Sequence, residues 1–115
     1  MRIFLCDDSQ PFCRVVELWL EEAPDLELVG VANDRAQALE RLPDARADVV
    51  LLDTMASGDE PLRVDDVRAA APGARVVVYS GHEPEAARRF VHGEPDAYLT
   101  KGADPQHLID AIRAL

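Results

Sequence analysis

Residues 48–53 read Asp48-Val49-Val50-Leu51-Leu52-Asp53. Four apolar residues stand together, β-branched at the start, with no polar residue between them. Such a run suits a strand covered on both faces, the habit of a parallel sheet flanked by helices. Three other apolar runs end in the same manner. Ile3-Phe4-Leu5-Cys6 runs into Asp7-Asp8, Val76-Val77-Val78-Tyr79 ends in Ser80-Gly81, and Tyr98-Leu99-Thr100 runs into Lys101. As adjacent parallel strands they bring their four ends to one edge. In open α/β sheets ligands bind at that carboxyl edge.

Between the runs the apolar period changes from strand to helix. Ser9 can cap a helix with Pro11 in its first turn, and Phe12, Val15, Val16 and Trp19 fall on one face. Residues 26–32 read as a second strand. Asp34 can cap a short helix that buries Ala38, Leu39 and Leu42 before Pro43 stops it. Pro61 is expected to open a third helix, with Val64, Val67 and Ala71 on one side. A weaker helix over 83–92 carries Ala87, Phe90 and Val91. Asp104 and Pro105 begin the last one, whose stripe is Leu108, Ala111, Ile112 and Leu115. Five βα units in alternation predict a flavodoxin-like doubly wound parallel sheet with strand order 2-1-3-4-5.

The bulk numbers agree with one domain over residues 1–115. Apolar residues make up 48% of the 115, enough for a packed core. The net charge of −10 disfavours direct nucleic-acid binding. No apolar stretch approaches the roughly 18 residues of a membrane span. The N-terminus has no export signal, so a cytoplasmic location is expected. Cys6 and Cys13 match no zinc spacing, and Cys6, inside an apolar run, reads as a buried inert thiol. The last helical stripe reaches Leu115, so no output domain is expected within these residues.

At the shared edge, Asp7, Asp8 and Asp53 would repel one another unless a cation compensates. Mg²⁺ suits oxygen ligands and leaves room for a phosphate. Asp53 can serve as a carboxylate nucleophile, Lys101 can neutralise phosphoryl oxygens, and Ser80 can hydrogen-bond the attached group beside the small Gly81. Each residue also has a plainer reading. An Asp can simply end a strand, Lys101 can be a solvated loop charge, and Ser80 can be a turn residue. Trp19 reads as packing, and His82, His92 and His107 share no ligand spacing and read as surface residues.

Taken together the pieces resemble the receiver domain of bacterial two-component response regulators. The resemblance rests on IFLCDDSQPFCR (3–14), DVVLLDTM (48–55), RVVVYSGH (75–82) and AYLTKGADPQHLIDAIRAL (97–115). With APDLELVGVAND (23–34), the last segment is most similar to the subfamily that usually carries a helix-turn-helix output domain. The resemblance implies that Asp53 accepts a phosphoryl group from the phosphohistidine of a sensor histidine kinase. Asp8 and Asp53 would hold Mg²⁺ by carboxylates, Asp7 mainly through water, and Met55 by its backbone carbonyl. Lys101 would pair with the phosphoryl oxygens, Ser80 would move toward them, and Tyr98 would turn inward behind it, though half-buried packing explains Tyr98 equally well. Partners implied are the kinase, an output domain or partner protein, and a phosphorylation-dependent homodimer. The expected outcome is transcription regulation. The chain would be a phosphoacceptor that assists its own phosphorylation and dephosphorylation, not a turnover enzyme.

Two positions depart from the family pattern. After the acceptor, Ala56 and Ser57 stand where Met and Pro are usual, followed by Gly58-Asp59-Glu60. Gly102 follows Lys101 where the family often has a cis-proline. The altered loop keeps open a second function, a pseudo-receiver that is never phosphorylated. A third, a haloacid-dehalogenase-like phosphatase, needs an Asp two residues after its nucleophile, where this chain has Met55, and places its motifs in the reverse order.

Overall fold

The computed structural model describes residues 1–53, 61–102 and 104–115. The readings made for Met55, for the 54–60 loop and for the Phe90 side chain lie outside what is described. Ten elements alternate: β1 (Arg2–Cys6), α1 (Gln10–Glu21), β2 (Glu27–Ala32), α2 (Arg35–Ala45), β3 (Val49–Leu52), α3 (Val64–Ala70), β4 (Arg75–Ser80), α4 (Pro84–Val91), β5 (Ala97–Thr100) and α5 (Pro105–Arg113). The five strands are all parallel in the order 2-1-3-4-5, as expected.

Strand alternation divides the core in two. Ile3, Leu5, Val49, Leu51, Val77 and Tyr79 point to the face covered by α1 and α5. Phe4, Cys6, Val50, Leu52, Val76 and Val78 point to the face covered by α2, α3 and α4. This two-sided burial explains why the β1, β3 and β4 runs carry no polar residue. One close approach decides a glycine: a Cβ on Gly30 would lie 2.6 Å from the Phe4 ring. The β1–β2 register slips at that point, so that Phe4 pairs with Gly30 instead of Val29.

Several helix details differ from expectation, for physical reasons. α1 buries Cys13, Val16 and Leu20, leaving Phe12 and Trp19 at the edge of the face and Val15 exposed. The helix is turned about one residue from its predicted face, because α1 packs on the sheet and against α5 together. Pro43 does not stop α2, which runs two residues further to Ala45. Pro43 gives up one bond, the N–H that would reach the Leu39 carbonyl, and α2 ends within a turn of it. Leu39 lies on the outer side and is exposed, while Ala38 and Leu42 are buried as predicted. Pro61 does not open α3; the helix begins at Val64, where the Arg63 N–H donates to Asp66 Oδ2 at 3.1 Å. In α5 the buried set includes Ile109 beside Leu108 and Ile112.

Candidate functional site

Three connections bring the site together. β1 ends at Cys6, and the Asp7 N–H continues the ladder to the Ala32 carbonyl at 2.9 Å. β3 ends at Leu52, and the Asp53 N–H reaches the Cys6 carbonyl at 2.9 Å. β5 ends at Thr100, and the Lys101 N–H reaches the Ser80 carbonyl at 2.7 Å. Asp7, Asp53 and Lys101 are thus each the first residue beyond a strand, held by one more hydrogen bond of the sheet. Residues distant in sequence meet because the strands are adjacent and in register.

Asp7 is fully buried. Its Oδ1 accepts the Ser9 N–H at 2.9 Å, and its Oδ2 accepts from Lys101 Nζ at 2.5 Å. The same ammonium lies 3.2 Å from Asp53 Oδ1. Asp8 is exposed at the rim, and Asp7, Asp8 and Asp53 each offer an oxygen within 4.8 Å of the others. Burial first, and then the charge of Asp7, hold the Asp53 carboxyl above its ordinary pKa, against the pull of Lys101. Burial alone would lower the pKa of Lys101. The hydrogen bond to Asp7 and the charges of Asp53 and Asp7 outweigh it, and the ammonium titrates above its ordinary value.

This is a crowded anionic cluster with, among the described residues, a single cation in contact. Oxygen donors so close together suit a hard divalent ion such as Mg²⁺, which would relieve the crowding that disfavours ionised Asp53. Asp7 is the least available of the three as a direct ligand, since both its oxygens are engaged within the protein.

Ser80, buried at the end of β4, accepts the His82 N–H on its Oγ at 3.0 Å. Tyr98 is half-buried on β5, with the Arg88 guanidinium 5.2 Å from its ring centroid. His82, His92 and His107 are exposed, as the sequence indicated. Cys6 and Cys13 are buried free thiols. Burial pushes the Cys6 thiol far up, and burial together with the Asp7 charge pushes Cys13 up to about 11. Both stay protonated and unreactive near neutral pH.

Two participants escaped the sequence reading. Asn33 donates from Nδ2 to the Asp7 carbonyl at 2.8 Å. The Phe12 ring lies under Lys101, its centroid 4.3 Å from Nζ. Strand order contained a signal for Asn33, since it follows β2 as Asp7 follows β1. Phe12 was placed on the core face of its helix, where nothing pointed to a partner 89 positions along the chain.

Comparison with known proteins agrees with this geometry. Nitrate/nitrite response regulator protein NarL of Escherichia coli is 31% identical over 113 residues, covering 96% of this chain and 52% of that protein. A protein-glutamate methylesterase/protein-glutamine glutaminase of Myxococcus xanthus is 38% identical over 90 residues, 76% of this chain but 26% of the enzyme. The chain thus spans about half or less of these relatives. The structure of the signal receiver domain of NarL from Mycobacterium tuberculosis superposes with a TM-score of 0.77 at 26% identity, over 98% of this chain and 93% of that one. The similarity to regulators of the NarL type is the one indicated by residues 23–34 and 97–115. The sequence model of the response regulator receiver domain matches residues 3–113, and with the β2-β1-β3-β4-β5 sheet and its acidic carboxyl edge this chain belongs to that family of two-component signalling domains.

Proposed function

We propose that Asp53 is the phosphoacceptor of this receiver and that Lys101, Ser80, Asp7 and Asp8 serve its phosphorylation. The observation that carries the reading is one ammonium in contact with both Asp7 and Asp53, at 2.5 and 3.2 Å, with the third carboxylate beside them. The donor is the phosphohistidine of a sensor kinase. An Asp53 oxygen attacks phosphorus and a P–O bond forms. The P–N bond breaks, and the imidazole nitrogen keeps the electron pair and takes up a proton. Lys101 then turns from Asp53 toward the new phosphoryl oxygens while remaining on Asp7. Ser80 Oγ, at the end of the neighbouring strand, would donate a hydrogen bond to the same group.

Asp8 and Asp53 would hold Mg²⁺ by carboxylates and Asp7 through water, with the Met55 carbonyl as a further ligand outside the described residues. Bound there, the ion would neutralise charge on the transferring oxygens. The new dianionic group biases the surface of β4 and β5, where Ser80 and Tyr98 lie, toward a second arrangement. That surface would pass the signal to an output domain or partner protein, to a second copy of the chain, or both, and so to transcription. The chain would act as a phosphoacceptor without turnover. Among the described residues no helix is long and apolar enough to cross a membrane.

The test is intact mass after incubation with a small phosphodonor and acid quenching, with and without Mg²⁺, beside Asp53→Asn. A single Mg²⁺-dependent adduct absent from the variant is expected. An adduct that survives Asp53→Asn would refute the acceptor assignment. No adduct would favour a pseudo-receiver, and steady hydrolysis of a phosphomonoester would favour a phosphatase.

A further inference from the structure

Lys101 is the single lysine of the chain, against eleven arginines. Its ammonium contacts two carboxylates and lies over an aromatic ring. The Phe12 centroid lies 4.3 Å from Nζ. The ring is itself held in place. The Phe12 N–H donates to the Ser9 Oγ cap at 3.2 Å, which sets the first turn of α1 directly after the acidic pair. Tyr79, buried on β4 just before Ser80, packs on the ring at 5.8 Å, and Trp19 meets it edge-on at 6.2 Å and 87°.

We infer that Phe12 is a positioning residue for Lys101: its ring face seats the ammonium between Asp7 and Asp53, and this seat sets the rate at which Asp53 takes up a phosphoryl group. The rate part rests on the reading of Asp53 given above. A ring attracts a cation through its quadrupole without a carboxylate's claim on the N–H donors. The ammonium is therefore confined, yet its donors stay available to oxygens that arrive at Asp53. An aliphatic side chain of similar bulk would fill the space without the attraction. An acidic one would bind the ammonium and compete with the phosphoryl group. Phe12 touches neither Asp53 nor the incoming group in this account and acts only through Lys101.

Two measurements test this. The first needs no phosphorylation. With lysine labelled at the ε-carbon, the protein gives one ε-methylene resonance, which a ring face at this distance moves upfield. The shift should be present in the wild type and in Phe12→Tyr and lost in Phe12→Leu; an unshifted wild-type signal would overturn the seating. The second is the initial rate of adduct formation from a small phosphodonor. Phe12→Leu should slow it about fivefold, the size of a partly desolvated cation–π contact, and Phe12→Tyr should restore it. In a Lys101→Met background the Phe12→Leu change should add nothing, because the partner is gone. An equal slowing in that background would mark Phe12 as mere packing and overturn the inference. A wild type that takes no phosphoryl group at all would overturn the Asp53 reading and the rate part together, while the resonance still decides the seat.

Discussion

At the amino ends of the strands, Asp25, Asp48 and Asp96 each have donors of their own, whereas at the carboxyl ends Asp7 and Asp53 divide one ammonium, with Asp8 close by. Asp48 accepts the Arg2 N–H at 2.7 Å. Asp96 accepts the Val76 N–H at 2.7 Å and pairs with Arg68 at 3.2 Å. Asp25 takes both nitrogens of the Arg113 fork, at 2.9 and 2.7 Å. The pKa shifts follow. The Val76 N–H, with help from Arg68, holds Asp96 below its ordinary value, and Arg113 does the same for Asp25, whereas burial and Asp7 hold Asp53 above it. Carboxylates at one rim fasten the fold. Those at the other are gathered without enough positive charge to satisfy them, a condition suited to an incoming cation and phosphoryl group and not to stability.

The sharpest way to break that contrast is to remove the Lys101 ammonium. Lys101→Met should slow adduct formation about a hundredfold, as loss of one preorganised donor to a transition state does. Arg113→Ala, at the opposite rim, should leave the rate unchanged. Equal losses would mean that the two rims do not differ in role.

Stability should respond the other way round. Asp96→Ala is expected to lower the unfolding free energy by about 1 kcal/mol in denaturant titrations, since it strands the Val76 N–H, while the partly exposed Arg68 pair is screened by solvent and Arg68 keeps the Glu94 carbonyl. Asp53→Asn should instead raise it in metal-free buffer, because it removes an ionised group that the folded state disfavours. Saturating Mg²⁺ should stabilise the wild type more than the variant and shrink that gain. A loss of stability in Asp53→Asn would contradict the picture of a strained rim.

Acid should divide the rims as well. Asp96 has a folded pKa below its unfolded value, so its contribution is full above the unfolded value and fades as pH falls through the folded one. Asp53 is shifted upward, so its penalty is present above its folded pKa and is relieved as pH falls through it. Melting temperature against pH should therefore show a shallower acid loss in Asp96→Ala than in the wild type. In Asp53→Asn the relief on mild acidification should vanish. The smallest effect belongs to Arg113→Ala, a slight drop in melting temperature that disappears in high salt, as befits an exposed pair.

Much of this was readable before any coordinates. The apolar runs at 3–6, 49–52 and 76–79 read as strands, the second as one covered on both sides, and the residues ending them formed the candidate site. Helix caps at Ser9, Asp34 and Asp104 were equally plain, and each side chain accepts the hydrogen bond its position requires. Misreadings occurred where a neighbour across the sheet decides. Val15 and Leu39 fit a helical period yet face solvent, because a period shows that a helix has an apolar side without saying how far the helix turns as it docks. Pro43 looked like a stop, but α2 runs on to Ala45 and ends only two residues beyond it.

The sequence by itself determined the alternation of elements, the order of Asp7-Asp8, Asp53 and Lys101, and the placement of each at a strand end, because those follow from local periodicity and chain direction. Only the tertiary structure decided how the charges are shared. Asp7, 94 positions from Lys101, takes the closer contact with the ammonium, Asp53 the longer one, and the Phe12 ring lies beneath it. Distances of that kind depend on register, burial and the packing of α1 on β4. Those arise only when strands remote in the chain lie side by side and water is excluded from between them.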